Sequence, residues 1–222
     1  LLSRRQRQMC IRDRYIRLQQ AEMPMVFYDR IPYGMNVSQV IVDDYIKAFF
    51  LVEHLIREGY RHIVHLQGPD DVYNSVERAR GYKDALVKFN IPFDKDRMLK
   101  AGLTFKDGAN AADMLIEKGV SFDAIFAFTD TLAIGAMNRL RDLGKKIPEE
   151  IAIASFSGTV LSTIVYPQLT TVEPPLQQMG KVVAELIIEK IKEPLSPNRS
   201  IVLDAEIKLR ASSKKEKDSK GK

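Results

Sequence analysis

Residues 124–157, AIFAFTDTLAIGAMNRLRDLGKKIPEEIAIASFS, constrain the fold more than any other stretch of the chain. The apolar, aromatic-rich run at 124–128 has the composition of a strand buried on both faces of a parallel sheet. Asp130 then stands where a helix N-cap belongs, with a carboxylate able to accept from the first free backbone amides. Ala133, Ala136, Met137, Leu140 and Leu143 recur at three- and four-residue spacing and give that helix one apolar face. Gly144 supplies a left-handed stop, Lys145 and Lys146 suit the negative end of the helix dipole, and Pro148 forbids continuation. The run 151–156 is the next buried strand, so the whole is one β-α-β unit. Open α/β sheets present the carboxyl ends of their strands to the ligand crevice, which places Thr129 with Asp130, and Ser157 with Gly158, where a bound molecule would lie.

The same alternation extends along the chain. Strands are expected at 24–28, 40–42, 63–67, 98–101 and 169–172, and at 201–203 and 206–210, which could close as a hairpin. Helices are expected to end near residue 22 and to run from the Asp43-Asp44 doublet to Gly59, over 76–89, over 106–118, and from Pro175 to about Ile191. In the last of these, Leu176, Met179, Val182, Val183, Leu186, Ile187 and Ile191 form the expected buried side. Strand and helix alternating in this way predict an α/β fold of doubly wound, mostly parallel sheets.

Composition matters here for what it excludes. With 45% hydrophobic residues in 222, the chain can bury one substantial core or two modest lobes. No apolar run approaches the length of a membrane span, and the first residues lack the apolar segment of a signal peptide, so a cytoplasmic protein with no membrane partner is expected. A single cysteine, Cys10, excludes an internal disulfide framework. The net charge of +5 comes from the two ends: residues 1–17 hold six arginines against one aspartate, and residues 211–222 hold five lysines against two acids. The body between them is mildly acidic, which is not the clustered basic face of a DNA-binding domain. Residues 1–14 show no periodicity that would bury a face and read as a non-native or disordered basic segment; residues 213–222 read as a disordered charged tail.

Catalytic motifs are missing. There is no GxSxG elbow, no phosphate-binding GxxxxGK[ST], no GxGxxG after a strand, no HExxH and no CxxC, so neither an enzyme, a cofactor nor a metal is expected. His54, His62 and His65 lie on separate segments and read as surface or partly buried structural residues. A binding site needs less: a few polar groups that fix orientation beside an apolar wall. Asp29, Arg30, Asn74, Arg78, Thr129 and Ser157 all fall at or just beyond strand ends. Arg78 stands near the start of its expected helix, where the dipole disfavours a cation; a bound ligand or a surface salt bridge would each explain it.

The strings VEHLIREGYRHIVHLQGPDD, SVERARGYKDAL, FAFTDTLAIGAMNRLRDLGKKIPEEIAIASFS, YPQLTTVEPPLQQMGKVVAELIIEKI and IVLDAEIKLRASS occur in that order. Together they resemble the effector-binding part of LacI/GalR-type transcriptional regulators, over residues 15–213. The resemblance implies the type I periplasmic-binding-protein fold, two α/β lobes with a ligand between them. It marks Asp29 and Arg30 at the cleft, Asn74 and Arg78 on the second lobe, Leu103 where the family often has an aromatic wall, and Thr129 where it often has Asn. It gives Asp130 the part of helix cap at the cleft. Ser157 stands where sugar- and purine-responsive members usually have Asp, a departure that exchanges a two-acceptor carboxylate for a single switchable hydroxyl.

The resemblance begins near the last βα unit of the first lobe. It implies a remnant of the N-terminal lobe at 15–38, the C-terminal lobe at 39–168, an N-terminal-lobe helix segment at 169–195, and strands returning to the C-terminal lobe at 196–212. The implied protein is the effector-sensing and dimerisation region of a LacI-type regulator that binds a sugar or sugar derivative. It would form a homodimer at full length and meet operator DNA only through a helix-turn-helix head lying outside this chain. The chain alone is then expected to bind effector weakly or not at all, and DNA no better than a random basic polypeptide. A periplasmic solute-binding protein of a sugar transporter is the alternative on the same fold.

Overall fold

The structure, a computed structural model, describes residues 13–214. The expectations for residues 1–12 and 215–222 lie outside the described residues. Residues 13–20 form helix α1, so the helix already includes Asp13 and Arg14.

The described residues form two compact units, one from residues 13–42 and 175–203, the other from residues 43–174 and 204–214. The first unit holds a three-stranded parallel sheet. Strand β2 (Ser38–Val42) is central, flanked by β1 (Val26–Tyr28) and by β8 (Ser200–Leu203), with Val40 opposite Tyr28 on one side and Ile201 on the other. Helix α7 (Leu176–Lys192) packs on β1 and β2. Met179 and Leu186 are buried, but Leu176 and Ile191 of the expected buried side are exposed, because a sheet only three strands wide covers part of the helix's apolar stripe.

The second unit holds a six-stranded sheet in the order β4-β3-β5-β6-β7-β9. Its strands are β3 (Ile63–Gln67), β4 (Met98–Lys100), β5 (Ala124–Ala127), β6 (Ala152–Phe156), β7 (Thr170–Glu173) and β9 (Glu206–Lys208). All neighbours are parallel except β7 and β9. β3, β5 and β6 are buried throughout, as central strands covered on both faces should be. The covering helices are α2 (Asp44–Arg57), α3 (Tyr73–Lys88), α4 (Phe105–Glu117) and α5 (Asp130–Asp142), with a short α6 (Leu161–Ile164). Helices α4 and α5 approach closely at Gly108 and Gly135. A Cβ on Gly108 would overlap the Leu132 carbonyl, and one on Gly135 the Phe105 carbonyl.

Four expectations are corrected. The strands at 201–203 and 206–208 do not form a hairpin: β8 pairs with β2 and β9 with β7, in different sheets. Residues 39–42 and 196–203 therefore belong to the first unit, and 169–174 to the second. The chain is still ordered at Ser213, which is buried: its hydroxyl lies 2.7 Å from Thr170 Oγ1 and 2.9 Å from His54 Nε2. His65 is fully buried rather than partly so.

Candidate ligand-binding site

The expected groups of the second unit gather at the carboxyl ends of its parallel strands. Helix α3 begins at Tyr73, three residues earlier than the apolar spacing suggests, because Val72 is already extended at the N-cap. Asn74 and Arg78 are thus both helical and four residues apart, on one face, and both are buried. Arg78 sits in the second turn, and neither a ligand nor a surface salt bridge is needed to compensate it. Its Nε and Nη2 lie 2.8 and 2.7 Å from Asp44 Oδ1, and each partner side chain is only 3% exposed. Nη1 donates to the Phe128 carbonyl at 2.7 Å. The guanidinium also lies over two rings, 3.6 Å from the centroid of Phe156 and 4.7 Å from that of Phe128. Arg78 therefore joins the ends of β5 and β6, one residue before Thr129 and one before Ser157.

Asp44 is the partner of Arg78 that reasoning from the sequence missed. The Asp43-Asp44 doublet marks a helix start, and Asp43 alone caps it, accepting from the Ile46 amide at 2.9 Å. One acid suffices for a cap; the second was the signal that a buried cation needed it.

Asp130 is not the helix cap. Thr129, extended at φ −140° and ψ 160°, holds that position, and its Oγ1 accepts from the Leu132 amide at 3.4 Å. Asp130 is the first helical residue and is fully buried. Its Oδ1 accepts from Ser155 Oγ and Thr171 Oγ1, both at 2.7 Å. Its Oδ2 accepts from the Thr159 amide at 2.6 Å and from Thr159 Oγ1 at 2.8 Å. The carboxylate turns away from its own helix because four donors from β6, β7 and the β6 loop converge on it, and charge-assisted bonds of this kind outweigh a single cap contact.

Ser157 lies in the loop after β6 with φ +139°, and Gly158 follows with φ +61°. The Ser157 side chain is half-buried, and its amide donates to the Val172 carbonyl at 3.0 Å. Leu103 follows β4, packs partly buried on the hydrophobic core, and directs its amide to Asp107 Oδ2 at 2.8 Å. In the first unit, Asp29 and Arg30 follow β1. Asp29 has φ +56°, its carboxylate is 3.9 Å from Arg30 Nε, and about half of each side chain is exposed. They rim a cavity of about 580 Å³ whose wall includes Tyr15, Leu18 and Phe27.

One histidine touches the same core. His65 stacks on Phe126 with centroids 4.7 Å apart and lies 5.3 Å from Tyr82, and its Nδ1 is 3.0 Å from the Phe126 carbonyl. A carbonyl only accepts, so Nδ1 carries the proton. Burial pushes the imidazole pKa down to about 4, and it is neutral at pH 7. Among the described residues no group of three or more His, Cys, Asp or Glu could hold a metal ion, and no helix is long and apolar enough to cross a membrane.

Residues 52–213 match the model of the periplasmic binding protein-like domain. The chain belongs to that family. Its relatives among periplasmic binding protein-like proteins include the HTH-type transcriptional repressor PurR of Vibrio atlanticus, 31% identical over 194 residues that make up 87% of this chain and 58% of PurR. The ribose operon repressor of Halalkalibacterium halodurans is 31% identical over 83% of this chain and 55% of its own length. A solved complex of the transcriptional regulator CelR with cellobiose superposes with a TM-score of 0.83 at 28% identity, covering 88% of this chain and 60% of CelR. These relatives bear out the likeness to LacI-type effector-binding regions, and this chain spans less than two thirds of each.

Proposed function

We propose that this chain is the effector-sensing region of a LacI-type transcriptional regulator and that its ligand is a sugar or sugar derivative. The observation that carries the reading is the rim of the second unit. A buried arginine, stacked on the buried rings of Phe128 and Phe156, locks the ends of β5 and β6 together beside Thr129 and Ser157, a preorganised set of polar groups. The relatives support the ligand class, since one is named a ribose operon repressor and another was solved with cellobiose. They also favour a cytoplasmic regulator over the solute-binding protein of a transporter, and a binding protein over an enzyme. In the proposed mechanism the effector favours one arrangement of a dimeric regulator over another, and its power is limited to its differential affinity for the two. Operator DNA is met through a head outside this chain. Asp29, Arg30, Asn74, Arg78, Leu103, Thr129 and Ser157 are the proposed contacts, and Asp130 supports them from beneath.

A thermal-shift screen of the chain with D-ribose, cellobiose, glucose 6-phosphate and adenine tests this. At ten times a millimolar Kd, a ligand adds about 1.4 kcal/mol and raises Tm by about 3–6 °C. A rise with a sugar is expected; a rise with adenine alone, or with none of the four, counts against the reading.

A further inference from the structure

We infer that Asp130 is the positioning residue for Ser157: its buried carboxylate clamps residues 157–159 in the backbone conformation from which the Ser157 hydroxyl is presented. This rests on reading the loop after β6 as part of the effector site.

Ser157 occupies a positive-φ region that side-chain-bearing residues rarely adopt, and Gly158 continues the left-handed turn. Such a conformation persists only where its surroundings over-determine it, and the bonds that do so can be traced to one group. The Thr159 amide and hydroxyl both end on Asp130 Oδ2. Ser155, two residues before the turn, ends on Oδ1. Thr171 of β7 also ends on Oδ1, and its oxygen in turn accepts from the Gly158 amide at 3.3 Å. The carboxylate thus fixes the turn on both flanks and, through Thr171, at its middle. Gly158 is required there as well, since a Cβ would overlap Glu173. Meanwhile the Ser157 hydroxyl has no hydrogen-bond partner among the described residues, so it is held in place and left available. Asp130, with no exposed surface, acts through Ser157 and not on a ligand.

The chemistry of the donors separates this from a general structural role. The Thr159 amide can only donate, so it needs an oxygen at position 130. The hydroxyls of Ser155, Thr159 and Thr171 can reverse and accept from an amide NH2. Asp130→Asn can therefore keep one oxygen on the Thr159 amide, whereas Asp130→Ala removes every acceptor.

Amide hydrogen exchange on the 222-residue chain, without ligand, tests the clamp. In Asp130→Ala the Gly158 and Thr159 amides should exchange at least about tenfold faster than in the wild type, and Asp130→Asn should restore most of the protection. Amides of β3 and α3 should keep their wild-type rates in both variants. Unchanged exchange at residues 158 and 159 in Asp130→Ala would overturn the inference. So would an acceleration spread evenly over the second unit, or an Asn variant no better than Ala. Because this readout uses no effector, failure of every sugar to bind would count against the proposed function and leave the clamp to be judged by exchange.

Discussion

Replacing Arg78 by Met tests whether the rim is built around a buried ion pair. The substitution keeps much of the side chain's length and its stacking on Phe156, but deletes the contacts to Asp44 and the 2.7 Å bond to the Phe128 carbonyl. Both charges are 3% exposed, so solvent does not screen the pair, and removing one partner from a buried pair costs about 3–5 kcal/mol. For a chain of 222 residues this corresponds to a fall in Tm of about 6–20 °C. Urea denaturation of wild type, Arg78→Met, Asp44→Asn and the double variant measures it. The double variant should lose less than the two single losses added together, with a coupling of about 2 kcal/mol. A loss below about 1 kcal/mol with no coupling, the behaviour of an exposed pair, would refute the argument.

Further outcomes follow from neighbouring residues. His65 has its pKa lowered from 6.5 to about 4 by burial, so the unfolded chain takes up a proton that the folded one refuses. Its contribution to stability is full above pH 6.5 and is lost as pH falls toward 4, by about 3 kcal/mol in all; His65→Phe should flatten that part of the stability profile measured by urea titration. Gly135→Ala should cost about 1–3 kcal/mol in the same assay, because the new methyl group meets the Phe105 backbone where α4 and α5 touch. Thr104→Ala should cost about 1 kcal/mol by removing the capping box it forms with Asp107 at the start of α4, seen as a lower urea midpoint.

Much of the α/β plan was legible from local patterning. Buried strands announced themselves as short apolar runs, and Gly59, Gly119 and Gly144 all have the positive φ that a helix stop requires. The misreadings share a different origin: each depended on a partner distant in sequence. β8 follows 158 residues after its partner β2 ends, and nothing in the run from 201 to 203 distinguishes that partner from the adjacent β9. Asp130 and Thr129 are both good caps by type. The choice was made by hydroxyls at 155, 159 and 171 and by the Thr159 amide, converging from other elements. Arg78 looked misplaced only because its helix begins earlier than its apolar spacing suggests and because its partner Asp44 lies on α2, 34 residues away in sequence. The proposed site was thus readable as a set of strand ends, while the charge pairing beside it was not.

Titration calorimetry of the chain and of Ser157→Ala, with whichever of D-ribose, cellobiose or glucose 6-phosphate raises Tm most, tests the central claim most directly. The account predicts saturable heat for the wild type and affinity about three- to tenfold weaker for Ser157→Ala, the loss of one hydrogen bond, with an unchanged urea midpoint. No heat with any of the three sugars, or equal affinity in the two proteins, would contradict it.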